Sequence, residues 1–140
     1  MKFWDSSAVV PLALRQPKTT RLETLLRKDR DLALWWGTPL ECASALARVV
    51  REKLIDAAAA RASLQVIQWL SAAAFEVPPA EAVRSRAIQL LSIHPLRAAD
   101  ALQLAAGLIW CRNQTAGAEF VCLDEHLRDA ALAEGFTILP

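Results

Sequence analysis

The run Leu32-Ala33-Leu34-Trp35-Trp36 sets five apolar residues in a row and stops at Gly37. A strand with one wet face alternates apolar and polar residues, whereas an unbroken short run fits a strand covered on both faces, as in a parallel sheet. Lys2–Trp4, Glu119–Leu123 and Phe136–Leu139 are further short strand candidates, the second rich in β-branched and aromatic residues.

Between these segments the pattern turns helical. Ser6 and Ser7 offer caps for a helix toward Arg15, with Pro11 near its first turn. Thr19–Lys28 is amphipathic, with Leu22, Leu25 and Leu26 on one side. Thr38-Pro39-Leu40-Glu41 matches a capping box and opens a helix to about Lys53. Asp56 caps another that runs to about Ala74, before the Pro78-Pro79 break. Ala80–Ser92 is helical up to His94-Pro95, and the helix from Leu96 is apolar on most sides, hence buried. Glu125–Glu134 ends at Gly135. Strands alternating with helices predict an α/β fold in one domain over 1–140, built on a mainly parallel sheet. Ligands are then expected outside the carboxyl ends of the strands.

Composition narrows the class. Hydrophobic residues at 54% and charged residues at 22% exclude a disordered chain. Charges interrupt every apolar stretch well before the ~20 residues of a membrane span. The start Met1-Lys2-Phe3-Trp4-Asp5 puts a carboxylate where a signal peptide needs an apolar run, so a cytoplasmic protein is expected. Cys42, Cys111 and Cys122 form no C-x-x-C pair, which speaks against a zinc site or disulfide framework, and they read as small buried hydrophobes. The net charge of +1 is unevenly spread: residues 1–61 hold 11 basic and 7 acidic side chains, residues 62–140 hold 5 and 8. The basic half suits a phosphate backbone and equally suits solvated helix faces.

Four carboxylates stand in apolar company. Asp5 follows the first strand, Glu41 opens the helix after the second, and Asp124 ends Phe120-Val121-Cys122-Leu123. Asp100 lies in Ala98-Ala99-Asp100-Ala101-Leu102, where a lone charge on a buried helix costs several kcal/mol unless paired, with Arg97 as an available partner. A parallel sheet brings the first three to one edge, and Asp100 joins them if its helix begins there. Two carboxylates ~4 Å apart repel by ~4 kcal/mol at an effective dielectric near 20, so protons or cations must neutralise such a cluster. Oxygen donors without His or Cys select Mg²⁺ or Mn²⁺, ions that activate water and stabilise the leaving oxygen of a phosphodiester. Asp5 and Asp124 also read as helix N-caps, and Glu41 as the second half of its capping box.

These segments resemble the PIN-domain family, in particular the VapC-type toxins of bacterial toxin–antitoxin systems. The resemblance rests on Phe3-Trp4-Asp5-Ser6-Ser7-Ala8, Thr38-Pro39-Leu40-Glu41-Cys42-Ala43, Leu96-Arg97-Ala98-Ala99-Asp100-Ala101-Leu102 and Phe120-Val121-Cys122-Leu123-Asp124. It implies a PIN-like α/β/α sandwich with metal-binding, catalytic acids at Asp5, Glu41, Asp100 and Asp124. Asp5 and Asp100 are the foremost ligands, Asp124 acts through water, and the Ser6 hydroxyl supports the metal. Gln103 stands where such proteins often carry His. The resemblance further implies a Mg²⁺-dependent endoribonuclease toxin in which Mn²⁺ substitutes. Its partners are an RNA substrate, a VapB-type antitoxin whose Arg reaches the carboxylates, and a second copy in a homodimer.

Arg48, Arg51 and Lys53 follow Glu41 on one helix and are the expected phosphate contacts. His94 reads as a loop or capping residue rather than a catalytic base, and His126, one turn into the last helix near Asp124, is weighed as a substrate contact but not assigned that role. Trp4, Trp35 and Trp36 are expected in the core, Trp69 and Trp110 at a dimer or antitoxin interface. Two competing readings are a phosphoryl-accepting signalling domain and a non-catalytic binding module of the same fold. The first normally has adjacent acids after its first strand and a late Lys. Here Asp5 precedes two serines and no Lys follows Lys53.

Overall fold

The computed structural model describes residues Met1–Pro140. Five parallel strands, β1 (Lys2–Trp4), β2 (Leu32–Trp35), β3 (Phe75–Val77), β4 (Glu119–Val121) and β5 (Thr137–Leu139), form one sheet in the order β3-β2-β1-β4-β5. The chain builds outward from β1 through β2 to β3, then returns to lay β4 and β5 on the other side. The direction of winding therefore reverses between β1 and β4, where an open α/β sheet leaves a crevice at its carboxyl ends.

Seven helices cover the two faces: α1 (Ser6–Ala13), α2 (Thr19–Lys28), α3 (Thr38–Arg51), α4 (Ala57–Ala73), α5 (Glu81–Ile93), α6 (Ala98–Trp110) and α7 (Glu125–Ala133). Strand alternation sorts the core into two layers. Phe3, Ala33, Trp35 and Phe120 pack with Val83, Leu90, Leu104 and Leu127 of α5, α6 and α7. Trp4, Leu32, Leu34 and Val121 pack with Val9, Leu22, Leu46 and Ile67 of α1 to α4. Both faces of β1 and β2 are dry, which is why their sequences show no polar alternation. The result is the expected α/β/α sandwich.

Several details depart from the sequence reading. The expected helix from Asp56 stops at Ala73, and Phe75-Glu76-Val77 forms the edge strand β3, which the sequence did not announce. Phe75 and Glu76 are exposed there, so no apolar run marks it. β2 ends at Trp35, and Trp36 lies past the last paired residue with 52% of its surface exposed, outside the core. Trp110 is not a free interface residue, because its ring packs 6.1 Å from Phe3 against the α6 layer. Trp69, by contrast, is 71% exposed. α1 stops at Ala13 and α3 at Arg51, each two residues short of its expected end. No helix is long and apolar enough to cross a membrane.

Candidate functional site

The first turns of α1, α3, α6 and α7 converge at the carboxyl edge of the sheet. They bound a cleft of about 650 Å³ whose lining includes Ser6, Glu41, Arg48, Arg97, Asp100 and Asp124. Asp5 lines an adjoining hollow together with Glu41, Asp100 and Asp124, so all four acids face connected space. Asp5 forms the floor at 3% exposure, Glu41 and Asp100 are half-buried, and Asp124 is exposed at the rim.

Asp5 ends β1 and is also the N-cap of α1. Its Oδ2 accepts the Ser7 backbone N–H at 2.9 Å and the Ser7 hydroxyl. The Cys122 thiol lies behind the same oxygen at 3.5 Å. Asp124 ends the β4 segment and caps α7, with Oδ1 accepting the Leu127 N–H at 2.9 Å. Both aspartates are therefore true caps, as the local reading allowed, but a cap uses only part of a carboxylate. No side-chain or backbone donor meets Oδ2 of Asp124.

Glu41 behaves differently. The expected capping box does not form: no side chain caps α3, and the helix begins one residue earlier, after Gly37. The two residues of that motif are drawn elsewhere. Thr38 Oγ1 accepts from Nε2 of the fully buried Gln103 at 3.2 Å. Glu41 Oε2 accepts the Ser6 hydroxyl at 2.9 Å. Ser6 also approaches Asp5 Oδ1 at 3.4 Å, so one hydroxyl stands between the two carboxylates.

Asp100 sits in the first turn of α6, where burial begins in earnest only at Ala101. The desolvation expected of a deeply buried Asp100 falls instead chiefly on Asp5. Arg97 makes no ion pair with Asp100, although its charge and its backbone N–H favour the ionised form.

Proton affinities follow the crowding. Burial raises Asp5, opposed by its hydrogen bonds from Ser7. Burial also pushes Glu41 up to about 7, with Asp5 and Asp100 adding repulsion against the hydrogen bonds of Gln103 and Ser6. Asp100 is raised by burial and then by the neighbouring Asp124. The donor set is all oxygen and carries unmet negative charge, which fits a hard divalent cation. No three acidic, His or Cys side chains are already gathered as a finished cage, so rotation of the lining carboxylates would be needed to share an ion.

Among the expected phosphate contacts, Arg48 and Arg51 line the cleft on the α3 wall, whereas Lys53 lies beyond the helix end and lines none of it. Four residues outside the expected set belong to the region: Ser7, Gln103, Arg97 and His126. A polar Gln inside the apolar run of α6, at a position where the resembling proteins often carry His, was the sequence signal for Gln103. His94 caps the C-terminus of α5, its Nε2 2.9 Å from Glu134 Oε1.

No protein-family model and no curated sequence matches this chain. A solved structure does. The crystal structure of FitAcB from Neisseria gonorrhoeae matches 100% of this chain and 97% of its own, with a TM-score of 0.63 and 15% identity. The likeness is one of fold. It spans every strand and helix that positions the cleft.

Proposed function

We propose that this chain is a Mg²⁺-dependent endoribonuclease acting in the cytoplasm, the toxin of a VapC-type toxin–antitoxin pair. The observation that carries the reading is the convergence of Asp5, Glu41, Asp100 and Asp124 from four separate elements on connected space at the sheet's carboxyl edge. The engagement of Glu41 with Ser6, beside Asp5, supports it. The whole-chain fold likeness to FitAcB and the four sequence motifs agree with it.

In this reading Asp5, Asp100 and Glu41 would hold the ion, with Asp124 acting through water. Bound there, Mg²⁺ (or Mn²⁺) would supply Lewis-acid activation of water and counter-charge at the phosphodiester. The chain's own residues do the rest. Ser6 holds the Glu41 carboxylate, Ser7 holds Asp5, and Arg48 and Arg51 hold the RNA backbone beside the acids.

The antitoxin and the homodimer belong to the same proposal. An apolar groove of about 430 Å³ between α2 and α4, lined by Leu26, Leu70 and the exposed Trp69, supports a protein partner. An antitoxin Arg would neutralise the acidic cleft bidentately.

The test is incubation of the purified protein with cellular RNA. Discrete fragments should form in Mg²⁺ or Mn²⁺, vanish with EDTA, and be absent for Asp100→Asn. Mn²⁺ binding without any cleavage would favour the binding module instead. Expression alone should arrest bacterial growth, relieved by a co-expressed antitoxin.

A further inference from the structure

The cleft has cations on two walls. Arg48 and Arg51 line the cleft from α3 on one face of the sheet, while Arg97 and Ala99 from the start of α6 and His126 from α7 line it from the other face. Arg48, Arg51 and Arg97 are all exposed, and none is ion-paired. Opposite charges that share a cleft without pairing leave both sets free for a ligand that carries charge of its own.

We propose that Arg97, with His126 beside it, is a second phosphate-contact wall facing Arg48 and Arg51. A single strand would then cross the acidic floor with a phosphate engaged on each side of the reacting bond. This rests on the nuclease reading and sharpens it. A one-walled cleft would suffice for a strand end or a mononucleotide, whereas two cationic walls fit a strand that continues in both directions, hence an internal cut.

The experiment measures binding of a labelled single-stranded RNA oligonucleotide in Ca²⁺ by fluorescence anisotropy, across a range of salt, with RNA integrity checked on a gel. Each phosphate contact on a single strand contributes about 0.7 to the slope of log affinity against log salt. Arg97→Ala should weaken binding roughly threefold to tenfold at low salt and flatten the slope by about 0.7, as Arg48→Ala should, and the double variant by about 1.4. Arg97→Lys should recover the slope, which a merely structural role would not require. Arg112→Ala, at the far end of α6, serves as the surface control. Loss with Arg48→Ala but not with Arg97→Ala, relative to that control, overturns the second wall and leaves the nuclease reading standing. Failure of the wild-type protein to bind RNA while it binds Mn²⁺ overturns both.

Discussion

The Ser7 hydroxyl donates to the Asp5 carboxylate, and the same oxygen receives the backbone N–H groups of Leu123 at 2.9 Å and Asp124 at 3.3 Å. One side chain thus fastens the acid after β1 to the backbone after β4, across the point where the sheet's winding reverses. Ser7→Ala would remove one of the donors to the buried Asp5 carboxylate, which keeps the backbone N–H of residue 7, and would leave the Leu123 amide without its partner. We expect a loss of about 1–3 kcal/mol in urea unfolding, with at least a tenfold fall in RNA cleavage from a misplaced Asp5. Ser6→Ala, whose hydroxyl meets only side chains, should cost about 1 kcal/mol or less. Equal stability of the two variants would remove Ser7 from this role.

Glu41 gives the protein a pH dependence opposite to that of an ion-paired carboxylate. Burial first, and then its acidic neighbours, hold it at about 7 in the folded chain against an ordinary 4.5. The folded state therefore binds its proton more tightly than the unfolded one. Its contribution to stability is complete below about 4.5 and is lost as pH rises through about 7. Thermal melts without divalent ions should show stability falling between pH 5 and 8, by on the order of 2 kcal/mol. Glu41→Gln should shallow that fall without abolishing it, because Asp5 and Asp100 are raised in the same direction. Mn²⁺ should stabilise more at pH 8 than at pH 5, since it competes with those protons. A melt that is flat over this range would contradict the crowding.

Asp100→Asn removes one charge from a repelling set while preserving shape. Burial, and then Asp124, raise the proton affinity of Asp100, so its ionised form is a liability to the fold. The variant should melt at or above the wild-type temperature, by up to a few degrees for about 1 kcal/mol. It should lose at least tenfold in Mn²⁺ affinity by isothermal titration and all detectable cleavage. Full activity in this variant would sink the assignment of the acids.

Much of this arrangement was legible in the chain itself. The dry runs at Phe3-Trp4 and Leu32–Trp35 announced a parallel sheet, and acids directly after such runs announced a shared edge. The edge strand β3 was silent because Phe75 and Glu76 need no burial at a sheet's margin. Trp36 was misplaced because an apolar run does not mark which of its residues is the last to pair. Ser7 and Gln103 act through contacts more than 60 positions away in sequence, to Leu123 and Thr38, and local pattern holds no trace of such partners. The capping box failed because α3 starts one residue earlier, with Gly37 as its N-cap, which leaves Thr38 and Glu41 free for tertiary partners.

At the opposite end of the sheet, a second electrostatic arrangement separates stability from function. Lys2, only 8% exposed, lies 2.9 Å from Asp29 and 3.0 Å from Glu119. Burial works against its charge, but the two carboxylate hydrogen bonds prevail and raise it. The Lys2 hydrogen bond, seconded by the Met1 amino group, holds Asp29 well below the usual carboxylate range. A depressed carboxylate contributes stability that is present above its ordinary value near 4 and is lost as pH falls through the lowered one. Asp29→Asn should therefore cost about 1 kcal/mol at pH 7, a figure discounted for its partial exposure, with Glu119 retaining part of the Lys2 pairing. The difference from wild type in urea unfolding should shrink steadily below pH 4. Because Asp29 precedes β2 whereas every acid of the cleft follows a strand or opens a helix at the other edge, cleavage at pH 7 and Mn²⁺ affinity should stay at wild-type levels. A variant that lost cleavage while still folded would show that the two ends of the sheet are coupled.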